Sequence, residues 1–173
     1  MKNEMDMSFR KITKIAIQAN SVNNLFLRQR FAIKWLSLSA KKTIFLNIDE
    51  TWLDMSDFRR MKWKPKYSTN SNAVMIVWPR ISMITGIDTL GNVYLSLTQS
   101  NSNSQIMECF FRQLVLKLNK DRVDWRDNTI LMMDNATYHK SSSALKLYES
   151  LRIPIMFTAP HSYDASPCEL FFA

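Results

Sequence analysis

Two short apolar runs in this sequence each close on an aspartate. Residues 43–49 read TIFLNID and residues 128–134 read NTILMMD, so Asp49 and Asp134 both follow strand-like stretches. An unpaired carboxylate at the end of a buried strand is costly, so a charge placed there calls for a partner. Open α/β sheets present their ligands at the carboxyl ends of neighbouring strands. Two aspartates brought together there offer the oxygen ligands that suit a hard cation such as magnesium. Alone, either aspartate reads more simply as a helix cap or a salt-bridge acid. Both together, with a third carboxylate available, point to a metal-dependent site.

The elements that must position these acids follow from the hydrophobic pattern. Ser8 can cap a helix over 8–20, and Ser21 a second over 22–37 carrying Leu25, Leu27, Phe31, Trp35 and Leu36. Residues 43–49 form a buried strand. Strand-like residues return at 73–78 and 81–87, and the turn containing Gly91 and Asn92 leads into a return strand at 93–97. Ser102 or Ser104 caps a helix running to residue 118, with Ile106, Phe110, Leu114 and Leu118 at helical spacing. A strand at 128–134, a helix at 141–151 and a strand at 153–158 complete the order. Trp125 is expected in the core. Strand, hairpin, helix, strand, helix, strand describes an α/β fold with a mixed sheet and helices packed on it.

Charge adds a partner class. The chain carries 23 Lys/Arg against 15 Asp/Glu, a net of +8. Residues 1–42 hold nine Lys/Arg and two acids, a net of +7, whereas the other 131 residues balance fourteen against thirteen. A nearly neutral globule with a basic arm suits a polyanionic partner. A second basic run, Arg59, Arg60, Lys62, Lys64 and Lys66, is interleaved with Trp63 and Tyr67. Such a run either contacts phosphates or is a solvated loop. No apolar run approaches the roughly 18–20 residues that cross a bilayer, and no membrane partner is expected. The polar, acidic start of the chain is unlike a signal peptide, so a soluble intracellular protein is expected. Cys109 and Cys168 lack zinc-finger spacing and read as two reduced thiols.

Three blocks resemble the Tc/mariner group of DDE transposases. The first is FLNIDETW at 45–52, followed by RRMKWKPK at 59–66. The second is ILMMDNATYHK at 130–140. The third, PHSYDASPCE at 160–169, keeps the proline, serine, proline and glutamate of that family's pattern. Thirty-four residues separate Asp134 from Glu169, the interval of one large branch of the family. The resemblance covers about residues 8–173.

It implies a ribonuclease H-like catalytic domain with a five-stranded mixed sheet flanked by helices. Asp49 is then the ligand shared by two Mg2+ or Mn2+ ions, and Asp134 and Glu169 each complete one site. The implied chemistry is phosphodiester hydrolysis and strand transfer at transposon ends, that is, DNA transposition and integration. The implied partners are double-stranded transposon ends and target DNA, bound by a homodimer. The implied compartment is the nucleus in a eukaryote, otherwise the cytoplasm or nucleoid. Arg59, Arg60, Lys62, Lys64, Lys66 and His139 become candidate DNA contacts. For His139 a hydrogen-bonding role at a helix start is the simpler reading, and Glu50 reads as a supporting residue.

The resemblance also sets expectations about what differs. Residues 1–41 read as a basic helical arm, similar to the tail of the family's DNA-binding region and its linker. Residues 42–173 read as the catalytic domain, with the C-terminal helix that holds Glu169 missing. Only four residues follow Glu169, so it is expected to be poorly held. The alternative function is a catalytically silent, transposase-derived DNA-binding or interaction protein. A different ribonuclease H-like nuclease fits the DNAxxH block less well.

Overall fold

A computed structural model of the chain describes residues 20–41, 43–53, 81–100, 103–160, 162 and 166–172. The helix expected over 8–20, the basic run at 59–66 and the strand expected at 73–78 lie outside the described residues, apart from Asn20.

The elements are helix α1 (Val22–Ser39), strands β1 (Ile44–Leu53), β2 (Ile81–Asp88) and β3 (Val93–Thr98), and helix α2 (Ser104–Asp121). There follow the short helix α3 (Trp125–Asn128), β4 (Thr129–Met133), a 3₁₀ turn (Thr137–Lys140), α4 (Ser142–Ser150), β5 (Ile155–Phe157) and α5 (Pro167–Phe172). The five strands form one sheet in the order β3-β2-β1-β4-β5. β1 is antiparallel to β2, and β2 to β3, while β4 runs parallel to both β1 and β5.

Local chemistry starts several of these elements, the Ser21 cap of α1 as expected. The side chains of Ser21 and Ser141 accept the backbone N–H of Asn24 and Ala144 and cap α1 and α4. The β2–β3 turn takes Gly91 at φ +87°, a left-handed conformation suited to glycine. One cap differs from expectation. Asn103, not Ser102 or Ser104, starts α2 by accepting the Ile106 N–H.

Alternation along the strands sends side chains to two separate cores. Leu46 and Ile48 of β1 and Leu131 and Met133 of β4 meet Phe110, Phe111, Leu114 and Tyr148 of α2 and α4. Trp125 is fully buried in this cluster, as its apolar bulk suggested. Phe45, Met132 and Met156 point to the opposite face, where Phe31 and Leu38 of α1 cover them. Trp35 stacks on Phe45 at 5.5 Å between ring centroids. This part of the basic N-terminal segment is therefore packed on the sheet. No helix of the described residues is long and apolar enough to cross a membrane.

A buried charge ties the hairpin to α2. The Asp88 side chain is fully buried and accepts the backbone N–H groups of Leu90 and Asn92. Arg122, just past α2, stands 3.2 Å from its Oδ2. Removing one partner of a buried pair strands the other charge. Arg122→Met is expected to lower unfolding free energy by about 3 kcal/mol, the lower end for such pairs because Asp88 keeps its backbone donors. Urea unfolding checks this. A loss within experimental error of zero would mean that the pair carries no stability.

Candidate active site

The register of β1 against β4 sets the site. Asn47 pairs with Met132, the last of the parallel partners. Two residues beyond that pair, Asp49 on β1 and Asp134 just past β4 come to line one cavity. Asp49 keeps the parity of Phe45 and Asn47 along β1, that of the face that α1 covers. Asp134 directly follows β4, as expected. Asp49 does not end its strand: β1 continues to Leu53, because β2 pairs with it as far as Leu53↔Ile81. What ends near Asp49 is the parallel pairing, and the edge towards β4 is open there.

Glu169 arrives from α5, the third residue of a six-residue helix. This corrects the expectation that the chain has too few residues here for a helix. Packing supplies what length does not. Cys168 is fully buried, and its Sγ lies 3.4 Å from the Asn47 carbonyl and 3.8 Å from that of Thr85. Burial pushes this thiol up to about 11, so it is a neutral anchor rather than a nucleophile. Glu169 itself is exposed.

Asp49, Asp134 and Glu169 line one cavity of about 180 Å³, together with Asn47, Asn135 and Ser166. Asp49 Oδ1 accepts the Glu50 backbone N–H at 2.9 Å, and Ser166 Oγ lies 3.4 Å from its Oδ2. Burial raises the Asp49 carboxyl to about 6, and the charges of Glu50, Glu169 and Asp134 add to this while the Glu50 N–H opposes it. No Lys or Arg among the described residues is ion-paired with Asp49.

Behind Asp134 lies a second layer. Asp134 Oδ1 accepts the Ala136 N–H at 2.9 Å. His139 is 2% exposed, with Nε2 3.3 Å from Asp134 Oδ1 and 3.5 Å from Glu50 Oε1. The Tyr138 hydroxyl donates to Glu50 Oε2 at 2.9 Å, and burial, then the Glu50 charge, keep that phenol protonated. The Glu50 carboxylate thus meets the exposed Tyr138 and the buried His139. His139 lies beside the carboxylates rather than on an open surface.

The donor set fits hard divalent ions. Among the described residues no group of three His, Cys, Asp or Glu side chains is gathered closely enough to hold an ion by itself. Magnesium, however, is ordinarily held by one or two carboxylates, with water and substrate phosphate completing the shell. Three carboxylates lining one cavity, with no described Lys or Arg paired to Asp49, suit that mode.

The profile of the DDE superfamily endonuclease family matches residues 45–173, three-quarters of the chain and all of the sheet but the first residue of β1. The chain belongs to the DDE superfamily of endonucleases. The DDE fold is recovered in solved structures as well. A pre-cleavage Mos1 transpososome aligns with a TM-score of 0.72 at 18% identity, over 99% of this chain and 54% of that one. A Mos1 mariner paired-end complex with Mn gives 0.71 at 19%, over 96% and 53%. The catalytic domain of Mos1 mariner transposase gives 0.59 at 18%, over 88% and 70%. The chain spans about half the length of the first two. At such identities the likeness is one of fold, and that fold is the expected ribonuclease H-like mixed sheet. Among curated proteins no sequence match is found.

Sequence reasoning missed three residues around the DDE acids. Asn47 shares the face of Asp49, which the period of two along β1 could have shown. No local pattern marks Ser166 or Cys168, and only tertiary packing reveals their contacts.

The raised Asp49 carboxyl has a pH consequence. The folded state favours protonated Asp49, so this group's contribution is fully present below its ordinary 3.8 and lost as pH rises through about 6. Metal-free protein is therefore expected to melt progressively lower than its Asp49→Asn variant as pH climbs across that window. Magnesium should narrow the gap above it. Thermal melts in EDTA and in Mg2+ measure both effects; a difference that does not vary with pH contradicts the assignment.

Proposed function

We propose that this chain is the catalytic core of a DNA transposase that cuts phosphodiesters and transfers strands at transposon ends. The observation that carries the reading is the convergence of Asp49, Asp134 and Glu169 on one cavity at the open edge between β1 and β4. Asp49 would be shared by two divalent ions, Mg2+ or Mn2+, with Asp134 and Glu169 each completing one site. When bound, such ions neutralise the anionic phosphodiester on both sides of phosphorus and acidify the attacking water or 3′-hydroxyl.

The chain's own groups do the positioning. The β1–β4 pairing leads Asp49 and Asp134 to one cavity, the Ala136 N–H occupies one oxygen of Asp134, and buried Cys168 seats the turn that carries Glu169. The Mos1 structures include a paired-end complex with a left transposon end and a strand transfer complex. Double-stranded transposon ends and target DNA, held by a homodimer, are the corresponding partners proposed here. Arg59, Arg60, Lys62, Lys64 and Lys66 would add phosphate contacts.

A second reading, a silent DNA-binding relative of such a core, draws on the exposure of Glu169 at the end of a six-residue helix. Nicking of a labelled DNA duplex in Mg2+ or Mn2+ separates the two. The active core is expected to nick, with Asp49→Ala and Asp134→Ala slower by at least roughly a hundredfold. Binding without nicking, or nicking that survives Asp49→Ala, would sink the proposal.

A further inference from the structure

A groove of about 550 Å³ runs between α1 and β5, and its walls carry the opposite charge to the carboxylate cavity. On α1, Leu27, Arg30, Phe31 and Lys34 recur at helical spacing and form one stripe along it. Phe31 is the apolar floor, packed on the lower sheet core. Arg30 and Lys34 are exposed, and neither is ion-paired with a described acid. Lys140 comes from the 3₁₀ turn on the other side. Its Nζ donates to Asn135 Oδ1 and lies 5.0 Å from the Phe157 ring centroid, which holds the ammonium at the groove's inner end. No Asp or Glu is among the described residues lining the groove.

The groove and the cavity are continuous. Asn135, Thr158, Ala159 and Pro160 line both. Asn135 sits at the junction, its amide donating to the Thr158 carbonyl and accepting from Lys140. A polyanion whose one phosphodiester enters the carboxylate cavity has its neighbouring phosphates placed beside these three cations. An acidic cavity alone repels DNA, so an adjoining basic track is what the electrostatics of the site require.

We infer that the α1–β5 groove binds the sugar–phosphate backbone of the DNA strand leading to the cavity, through Arg30, Lys34 and Lys140 and without regard to base sequence. This rests on the reading of the cavity as a phosphodiester-cutting site. Phosphate contacts of this kind register the strand rather than read it.

The test is fluorescence anisotropy of the full 173-residue chain on a labelled duplex of arbitrary sequence, in EDTA, over a series of salt concentrations. Neutralising each phosphate releases counterions, so the slope of log affinity against log salt should shrink by roughly 1 for each cation removed. Arg30→Ala/Lys34→Ala is expected to lose roughly 2 and Lys140→Ala roughly 1. Lys120→Ala, on α2 across the sheet, should keep a slope much nearer the parent's. Arg30→Gln/Lys34→Gln, which keeps the aliphatic stems, covers the case in which the alanine pair unfolds. A parent slope and affinity in the folded groove variants, or a parent chain that does not bind DNA, overturns the inference. Groove-dependent binding by a chain that never nicks would instead sink the nuclease reading and leave the groove standing.

Discussion

The parallel pairing of β1 with β4 is the constraint on which the site depends. Strands in register hold successive residues at fixed height, and side chains alternate between faces. With Asn47 opposite Met132 as the last pair, Asp49 and Asp134 follow two residues further on and line one cavity. A slip of one residue would turn Asp49 into the core that holds Ile48 and put Ile48 at the cavity. The two apolar clusters prevent that slip, because each claims its own parity of side chains: Leu46 and Ile48 on one face, Phe45 on the other. The hydrophobic effect thus sets the register, and the register sets the distance between carboxylates.

Holding acids together in this way works against the stability of the metal-free fold. Asp49 is half-buried, near Glu50, Asp134 and Glu169, and its carboxyl is raised accordingly. Glu50 does not line the cavity; its carboxylate meets Tyr138 and His139 instead. Charge on the surface is organised as a counterpart, with Arg30, Lys34 and Lys140 flanking a groove that opens into the acidic cavity. Attraction for a phosphate backbone and attraction for divalent cations are thereby placed side by side.

Much of this was legible in the sequence because it is local. Two apolar runs closing on Asp49 and Asp134, a glycine turn between β2 and β3, serine caps and a period-3.6 stripe on α2 each carry their own signal over a few residues. The family's motif order supplied Glu169, which no local pattern singled out. Less legible were features created by long-range contact. The extension of β1 past Asp49 depends on pairing with β2, some thirty residues away. The α5 turn forms because Cys168 is buried against β1 and β2, which outweighs the weakness of a six-residue helix. The basic groove joins α1 to residues more than a hundred positions later, and no spacing rule anticipates it.

The central claim is that Asp49 is the carboxylate shared between ions on the β1–β4 edge. Anomalous diffraction from crystals of the chain soaked in Mn2+ addresses it without any reaction taking place. The account predicts manganese peaks in the cavity, with Asp49 a ligand in every occupied position and Asp134 or Glu169 beside it at about 2.2 Å. Manganese held by Glu50 and His139 instead, or a cavity that stays empty at saturating metal, would contradict it.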